Sequence, residues 1–216
     1  MKQLMLAICI GALSALTAAA QIDDYKKGEF FIGYSNNQVD TGVSPDEDFS
    51  DFVDERETFH GFNVSGVYNF HRYFGLKGDI SGGYNSKTFD FTVPTAPPST
   101  GEVSFDADSS LYNFLGGIQI KDNGSEARLK PFAHALAGVG HGRVKVSNVV
   151  CDPAVDCTGL SGTTSETGFA GAFGGGLDVK INDGIDLRLI QVDYNPIRFD
   201  NGTTHNVRFG IGLVFR

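Results

Sequence analysis

His205-Asn206-Val207-Arg208-Phe209-Gly210-Ile211-Gly212-Leu213-Val214-Phe215 alternates without a break. Val207, Phe209, Ile211, Leu213 and Phe215 fall on one side, and Asn206, Arg208, Gly210, Gly212 and Val214 on the other. Successive side chains of a strand point to opposite faces, so the stretch predicts one long strand with an apolar face and a polar or small one.

The same period recurs upstream, with turn residues between the segments. It predicts strands over 29–38 (Phe30, Ile32 and Tyr34 in phase), 58–70 (Phe62, Val64, Tyr68 and Phe70) and 74–84 (Phe74, Leu76, Ile80 and Tyr84). Further strands are predicted over 110–121, 130–146, 167–180 and 185–194, and the quoted segment is the eighth. The seventh breaks phase, because Ile185, Leu187 and Leu189 form one set and Ile190, Val192 and Tyr194 the next. A β-bulge near Leu189-Ile190 would return Asp186, Arg188, Gln191 and Asp193 to one side.

The connections alternate in length. Long ones are predicted at 39–57, 85–108, 147–166 and 195–204, and short ones at 71–73, 122–128 and 182–184. An even strand count, short turns at one end and long loops at the other is the pattern of a closed barrel that crosses a membrane. Segments of roughly 9–11 residues match the tilted span of a bilayer. The expected fold is therefore all-β: an eight-stranded antiparallel up-and-down transmembrane β-barrel with short periplasmic turns and long external loops.

The N-terminus agrees. Lys2 is a short basic region, 4–16 is apolar, and Ala18-Ala19-Ala20 supplies small residues for cleavage. The apolar run is too short to span a bilayer, so 1–20 reads as a signal peptide and 21–216 as one barrel domain. Export followed by a β-barrel places the chain in the outer membrane of a Gram-negative bacterium, with outer-membrane lipid around it. The formal net charge of −9 argues against nucleic acid, whose binders set Lys and Arg against phosphate.

Periodicity alone leaves open which face is inside. A soluble periplasmic barrel of the lipocalin type would put the apolar face inward. The charges favour the reverse. Lys77 with Asp79, Asp178 with Lys180, Asp186 with Arg188, and Arg208 lie on polar faces, and this mixed-sign set suits a narrow lumen in which buried charges must pair. Eight strands leave an interior that side chains fill.

With the signal peptide, the eight alternating segments and the aromatic-rich last strand, the chain resembles the small outer-membrane β-barrel proteins of Gram-negative bacteria, of the OmpA-like and opacity-protein type. Leu129-Lys130-Pro131-Phe132-Ala133-His134-Ala135-Leu136-Ala137-Gly138-Val139-Gly140 looks most typical of that family's fifth strand. The resemblance implies a barrel-assembly machinery that reads a terminal Phe during biogenesis. This chain departs from the pattern, since Arg216 follows Phe215. No appended peptidoglycan-binding domain is expected.

Candidate chemistry is sparse. Cys151 and Cys157, in an oxidising compartment, predict a loop-closing disulfide, and a zinc site would need a second Cys or His pair. A hydrolase needs Ser, His and an acid converging at one rim. Asp193 and His205 flank the fourth long connection and come nearest to such a pair, while His134 is expected near the periplasmic interface. The first long connection is acidic (Asp46, Glu47, Asp48, Asp51, Asp54, Glu55 and Glu57), a composition that a divalent cation would tolerate without an EF-hand spacing. Pro94, Pro97 and Pro98 mark an external loop tip. The Gly168–Gly176 run lacks the Lys-Ser or Lys-Thr of a phosphate loop. No catalytic residue, cofactor or metal is expected. The reading is a non-enzymatic barrel whose external loops recognise a surface ligand, and the alternatives are a narrow pore or a lipid-active enzyme.

Overall fold

The computed structural model describes residues 25–40, 56–94, 100–153, 155–200 and 202–216. The predicted signal peptide and the acidic segment 46–55 lie outside these residues. Eight strands follow one another: β1 (Gly28–Asp40), β2 (Arg56–Asn69), β3 (Phe74–Pro94), β4 (Thr100–Lys121), β5 (Leu129–Cys151), β6 (Gly162–Lys180), β7 (Ile185–Phe199) and β8 (Gly202–Phe215). Each pairs antiparallel with the next, and β1 pairs with β8 to close the barrel, Tyr34 opposite Ile211 and Gly33 opposite Gly212.

Closure at that seam depends on two glycines. A Cβ on Gly33 would lie 2.3 Å from the Ile211 carbonyl oxygen and 2.6 Å from Phe31 Cζ. On Gly212 it would lie 2.3 Å from the Ile32 carbonyl oxygen. Without side chains the two strands approach closely and the Phe31 ring fills the space inside.

The bulge expected in the seventh strand is present in β7. Arg188 pairs with Gly212 and Gln191 with Gly210, so Leu189 and Ile190 together oppose one residue of β8. Both point outward, and Asp186, Arg188, Gln191 and Asp193 all point in. A second irregularity lies between β4 and β5, where Asn148 takes a φ of 52° and its side-chain amide donates to Asp106 at 2.7 Å. Asn tolerates that left-handed backbone better than most residues.

The external connections are shorter than the sequence suggests and the strands longer. The ladder between β3 and β4 continues through 85–94 and 100–109, where a loop is predicted. The period of two persists there, but polar residues replace the lipid-facing apolar ones. Ser86 donates to Asp108 at 2.5 Å and Thr88 to Asp106 at 2.7 Å on one face. The rings of Phe89, Phe91 and Phe105 cluster on the other. β5 likewise runs to Cys151, β6 begins at Gly162, and β7 and β8 pair up to Phe199 and Gly202. Strands of 21 and 22 residues are about twice what a bilayer span needs, so the β3–β4 hairpin projects well beyond it.

Burial settles which face is inside. Ile32, Leu76, Phe114, Phe173 and Ile211 are each 46–55% exposed on the outer wall. Asn63, Lys77, Asp79, Asp178, Arg188, Asp193 and Arg208 are buried within. A soluble binder of apolar ligands has the reverse arrangement.

Candidate functional site

The lumen is filled from the periplasmic end by ion pairs. Arg216 turns inward and lies 2.6 Å from Glu29 and 3.0 Å from Asp186. Lys130 reaches Asp186 at 3.4 Å. Lys121 lies 3.1 Å from Glu29 and 2.5 Å from Asp178. Arg188 holds Asp178 with two donors, at 2.8 and 3.2 Å. Its guanidinium is sandwiched between the Phe31 ring at 4.4 Å and the Phe132 ring at 4.0 Å. Planar, weakly hydrated guanidinium suits such stacking better than ammonium does.

Gln191 joins this layer to the next, accepting from Arg188 and donating to Asp193. Arg208 donates to Asp193 at 2.7 and 2.9 Å, to Asp79 at 2.7 Å and to Ser81 at 2.8 Å. Asn63 donates to Asp79 at 2.9 Å. His134 Nε2 lies 2.9 Å from Asp193 Oδ1, and Lys77 Nζ donates to His134 Nδ1 at 3.2 Å. In a site shielded from water each charge needs a partner, and here Asp79, Asp178, Asp186 and Asp193 each have at least two.

Of the charges assigned to the lumen from sequence, Lys77, Asp79, Asp178, Asp186, Arg188 and Arg208 are inside. Lys180 is at the periplasmic rim instead, partly exposed, between Glu126 at 2.5 Å and Asp183 at 2.8 Å. It is the last residue of β6, one step beyond the filled layers. The partners also differ from those within each strand. Asp178 pairs with Lys121 and Arg188 and Asp186 with Lys130 and Arg216, whereas Lys77 does pair with Asp79 on its own strand, at 3.9 Å. Residues two apart on one strand stand farther from each other than cross-strand neighbours. Glu29, Lys121, Lys130 and Asp193 were legible by parity but had no assigned partners. Arg216 keeps the inward parity of Arg208 and Val214, but nothing in the sequence named its partners.

Two histidine expectations are corrected. His134 lies in the lumen rather than at the periplasmic interface. Asp193 and His205 do not approach each other. Asp193 points inward, whereas His205 points outward and its Nδ1 is 2.5 Å from the Tyr194 hydroxyl. Among the described residues no group of three or more His, Cys, Asp or Glu is placed to hold a metal ion.

The external half of the lumen holds an apolar cluster interleaved with the buried amides of Asn37, Asn195 and Asn206. Phe59, Leu111, Leu115, Leu136, Ala170, Ala172 and Ile197 pack together there, with Val39 and Phe199 against them. Above them a cup of about 340 Å³ opens outward between Glu57, Arg143, Ser165 and Glu166. Cys151 and Cys157 are joined in a disulfide at the external end of β5. At the opposite end Arg72 donates to Asp122 at 2.9 and 3.2 Å and holds its carboxyl below the usual range.

A filled polar lumen, an apolar outer wall and alternating connections are the architecture of an outer-membrane protein. The family model of the outer membrane protein beta-barrel domain matches residues 5–215. The chain belongs to this family. It is a small outer-membrane β-barrel. Among solved structures, Ail, the attachment invasion locus protein of Yersinia pestis, crystallised with the heparin analogue sucrose octasulfate, is 21% identical with a TM-score of 0.52. That match covers 88% of this chain and 99% of Ail. Neisserial surface protein A (NspA) is 9% identical with a TM-score of 0.50, over 87% of this chain and 96% of NspA. These likenesses concern the fold alone. No curated protein matches the chain.

Proposed function

We propose that this chain is a non-enzymatic surface protein of the Gram-negative outer membrane, with a plugged barrel as scaffold and external hairpins as the recognition surface. In this reading residues 1–20 are removed on export and the barrel-assembly machinery inserts the rest. The observation that carries it is the contrast between the two ends. The lumen is closed by buried ion pairs, while β3 and β4 extend a 21- and 22-residue hairpin far past the wall. The hairpin presents Phe89, Phe91 and Phe105 on one face, with Phe91 half exposed, and carboxylates on the other. The Ail structure holds a heparin analogue, a polyanion. The acidic face here (Asp90, Asp106 and Asp108) suits such a ligand poorly, and the aromatic face suits a partner of apolar character.

The test replaces 88–106 with a tight turn and measures attachment of the expressing bacteria to host cells and matrix proteins. Heat-modifiable gel mobility of the outer-membrane fraction controls for barrel folding. Loss of attachment with an intact mobility shift is the expected result. Unchanged attachment overturns the hairpin's role, and steady open-channel currents from the purified protein in planar bilayers overturn the plugged scaffold.

A further inference from the structure

The ion pairs in the periplasmic half of the lumen form one alternating series of side chains. Lys130 pairs with Asp186, Asp186 with Arg216, Arg216 with Glu29, Glu29 with Lys121, Lys121 with Asp178, and Asp178 with Arg188. The series begins and ends on a cation, so three carboxylates face four positive charges. The layer above has no such excess, with Lys77 and Arg208 against Asp79 and Asp193. Of the two end cations, Arg188 is enclosed between the Phe31 and Phe132 rings and held by two donors on Asp178. The other, Lys130, meets a single carboxylate at 3.4 Å and lies at the periplasmic mouth. The uncompensated charge is carried there.

The mouth contains a cavity of about 510 Å³, to which Lys130 and Arg216 both contribute from their buried positions. Neither contact of Arg216 with Glu29 and Asp186 has hydrogen-bond alignment, so its Nε and Nη2 donors are left over. Asn123, from the turn between β4 and β5, forms part of the wall. It is 3% exposed, and neither end of its side-chain amide has a hydrogen-bond partner. Buried polar groups are nearly always hydrogen-bonded, and leftover donors in a cavity wall point to an acceptor from outside. Lys26 is fixed across the mouth by its main chain, donating to the Asn123 carbonyl at 3.4 Å and accepting from the Asn69 amide at 2.8 Å. At the rim Lys180 carries two exposed carboxylates, Glu126 and Asp183, and the exposed Lys26 ammonium offsets the second. The rim is thus balanced and the floor positive by one.

We infer that this periplasmic mouth captures the terminal carboxylate of a peptide, with Arg216 and Lys130 as its cationic contacts, the Asn123 amide as a neutral donor and Lys26 at the rim. A carboxylate only accepts hydrogen bonds, which matches a wall of unpaired donors, and guanidinium is shaped to meet it. Its single negative charge equals the single excess positive one, whereas a phosphate dianion exceeds it. The volume falls within the roughly 300–1,000 Å³ of small-ligand sites and leaves room for the chain that bears the carboxylate. Capture of a C-terminal carboxylate is a recurring mode of peptide recognition. The inference rests on the outer-membrane placement, which sets this end in the periplasm. It is independent of the hairpin's role at the opposite end.

The experiment immobilises the full chain, refolded in detergent, and exposes it to a pool of N-acetylated tetrapeptides with free C-terminal carboxylates or to the same pool amidated at the C-terminus. Retained peptide is quantified by mass spectrometry. The free acids are expected to be retained about tenfold better than the amides, as a hydrogen-bonded ion contact implies. Arg216→Gln is expected to bring the acids down to the level of the amides. Lys26→Glu, an exposed change that breaks no buried pair, is expected to lower retention of the acids about fivefold. Lys145→Glu makes the same charge change at an exposed position near the external end of β5 and leaves retention unaltered. Equal retention of the two pools overturns the site, as does full retention of the acids by Lys26→Glu. Displacement of the peptides by equimolar inorganic phosphate makes it a site for any anion and overturns the peptide assignment. Heat-modifiable mobility is scored on every variant. Should Arg216→Gln fail to fold, Lys26→Glu decides alone, and a failed peptide site with an intact mobility shift leaves the barrel reading standing.

Discussion

The periplasmic half of the lumen is packed with charge and the external half with hydrocarbon and a few neutral amides, although both are enclosed by the same wall. The inner half holds Glu29, Asp79, Asp178, Asp186 and Asp193 against Lys121, Lys130, Arg188, Arg208 and Arg216. The outer half holds Phe59, Leu111, Leu136 and Ile197 beneath an open cup. The outer half is a small conventional core, stabilised because its surface leaves water. The inner half has no such driving force. Its stability depends on every charge having a partner, and its geometry is correspondingly specific. The lipid-facing wall contributes little to either, since lipid tails are as apolar as the side chains they meet.

The contrast is tested most severely at Arg208. Arg208→Met removes the cation shared by Asp79 and Asp193 and leaves two buried carboxylates facing each other. Breaking a buried pair costs about 3–5 kcal/mol. Urea unfolding of the refolded barrel in detergent is expected to shift by that order. A loss below about 1 kcal/mol would mean that water reaches the network and screens it, and the two halves would then differ less than their packing suggests.

Leu136→Ala probes the other half. Leu136 is 2% exposed and packs among the apolar residues under the cup. Truncation of a buried leucine costs about 2–5 kcal/mol, and the lower end is expected because the cup lets neighbours relax. The same unfolding assay reads it. A loss equal to that of Arg208→Met would remove the energetic distinction between the halves.

The wall was legible in the sequence and the filling only in part. Alternation identified all eight strands, and the phase break at Leu189-Ile190 located the bulge, because a lipid-facing strand has few other ways to keep Arg188 and Asp193 on one side. The strand ends were misread where Phe89, Phe91 and Phe105 continue the alternation outside the bilayer, since no lipid requirement marks those positions. The pairing of charges was not legible. Which carboxylate meets Arg208 depends on how far around the barrel β3 and β7 lie from β8, and a one-dimensional pattern carries no such distance. The partners of His134 and Arg216 are illegible for the same reason, although parity turns both inward.

The external hairpins and periplasmic turns extend the comparison to regions outside the bilayer. Cys151→Ala with Cys157→Ala opens a short loop at the external end of β5. Closing a loop of this length contributes about 2 kcal/mol in the chain-entropy account, but here the constraint acts on one connection rather than on the barrel. The expected outcome is faster protease cleavage within 150–161 at an unchanged barrel unfolding midpoint. A lowered midpoint would show that the projecting β4–β5 ladder and the lumen unfold as one unit.

The smallest effect is expected at the periplasmic turns. Arg72 and Asp122 form a two-donor pair with side chains 41% and 37% exposed. Hydrogen bonds from Arg72 are the main cause of the lowered Asp122 pKa, and the Gly124 N–H adds to them. A depressed carboxyl contributes stability that is present above its unfolded value of about 3.9 and is lost as pH falls through the lower folded value. Exposure and salt screening hold that contribution to a few tenths of a kcal/mol. Asp122→Asn should therefore unfold slightly more easily than wild type at pH 7, and the difference should vanish near pH 2. Arg208→Met should stay destabilised at pH 7 in high salt, whereas Asp122→Asn should become indistinguishable from wild type there. If salt erased both differences alike, the lumen charges would be as well solvated as those of the turn, and burial would not be what separates them.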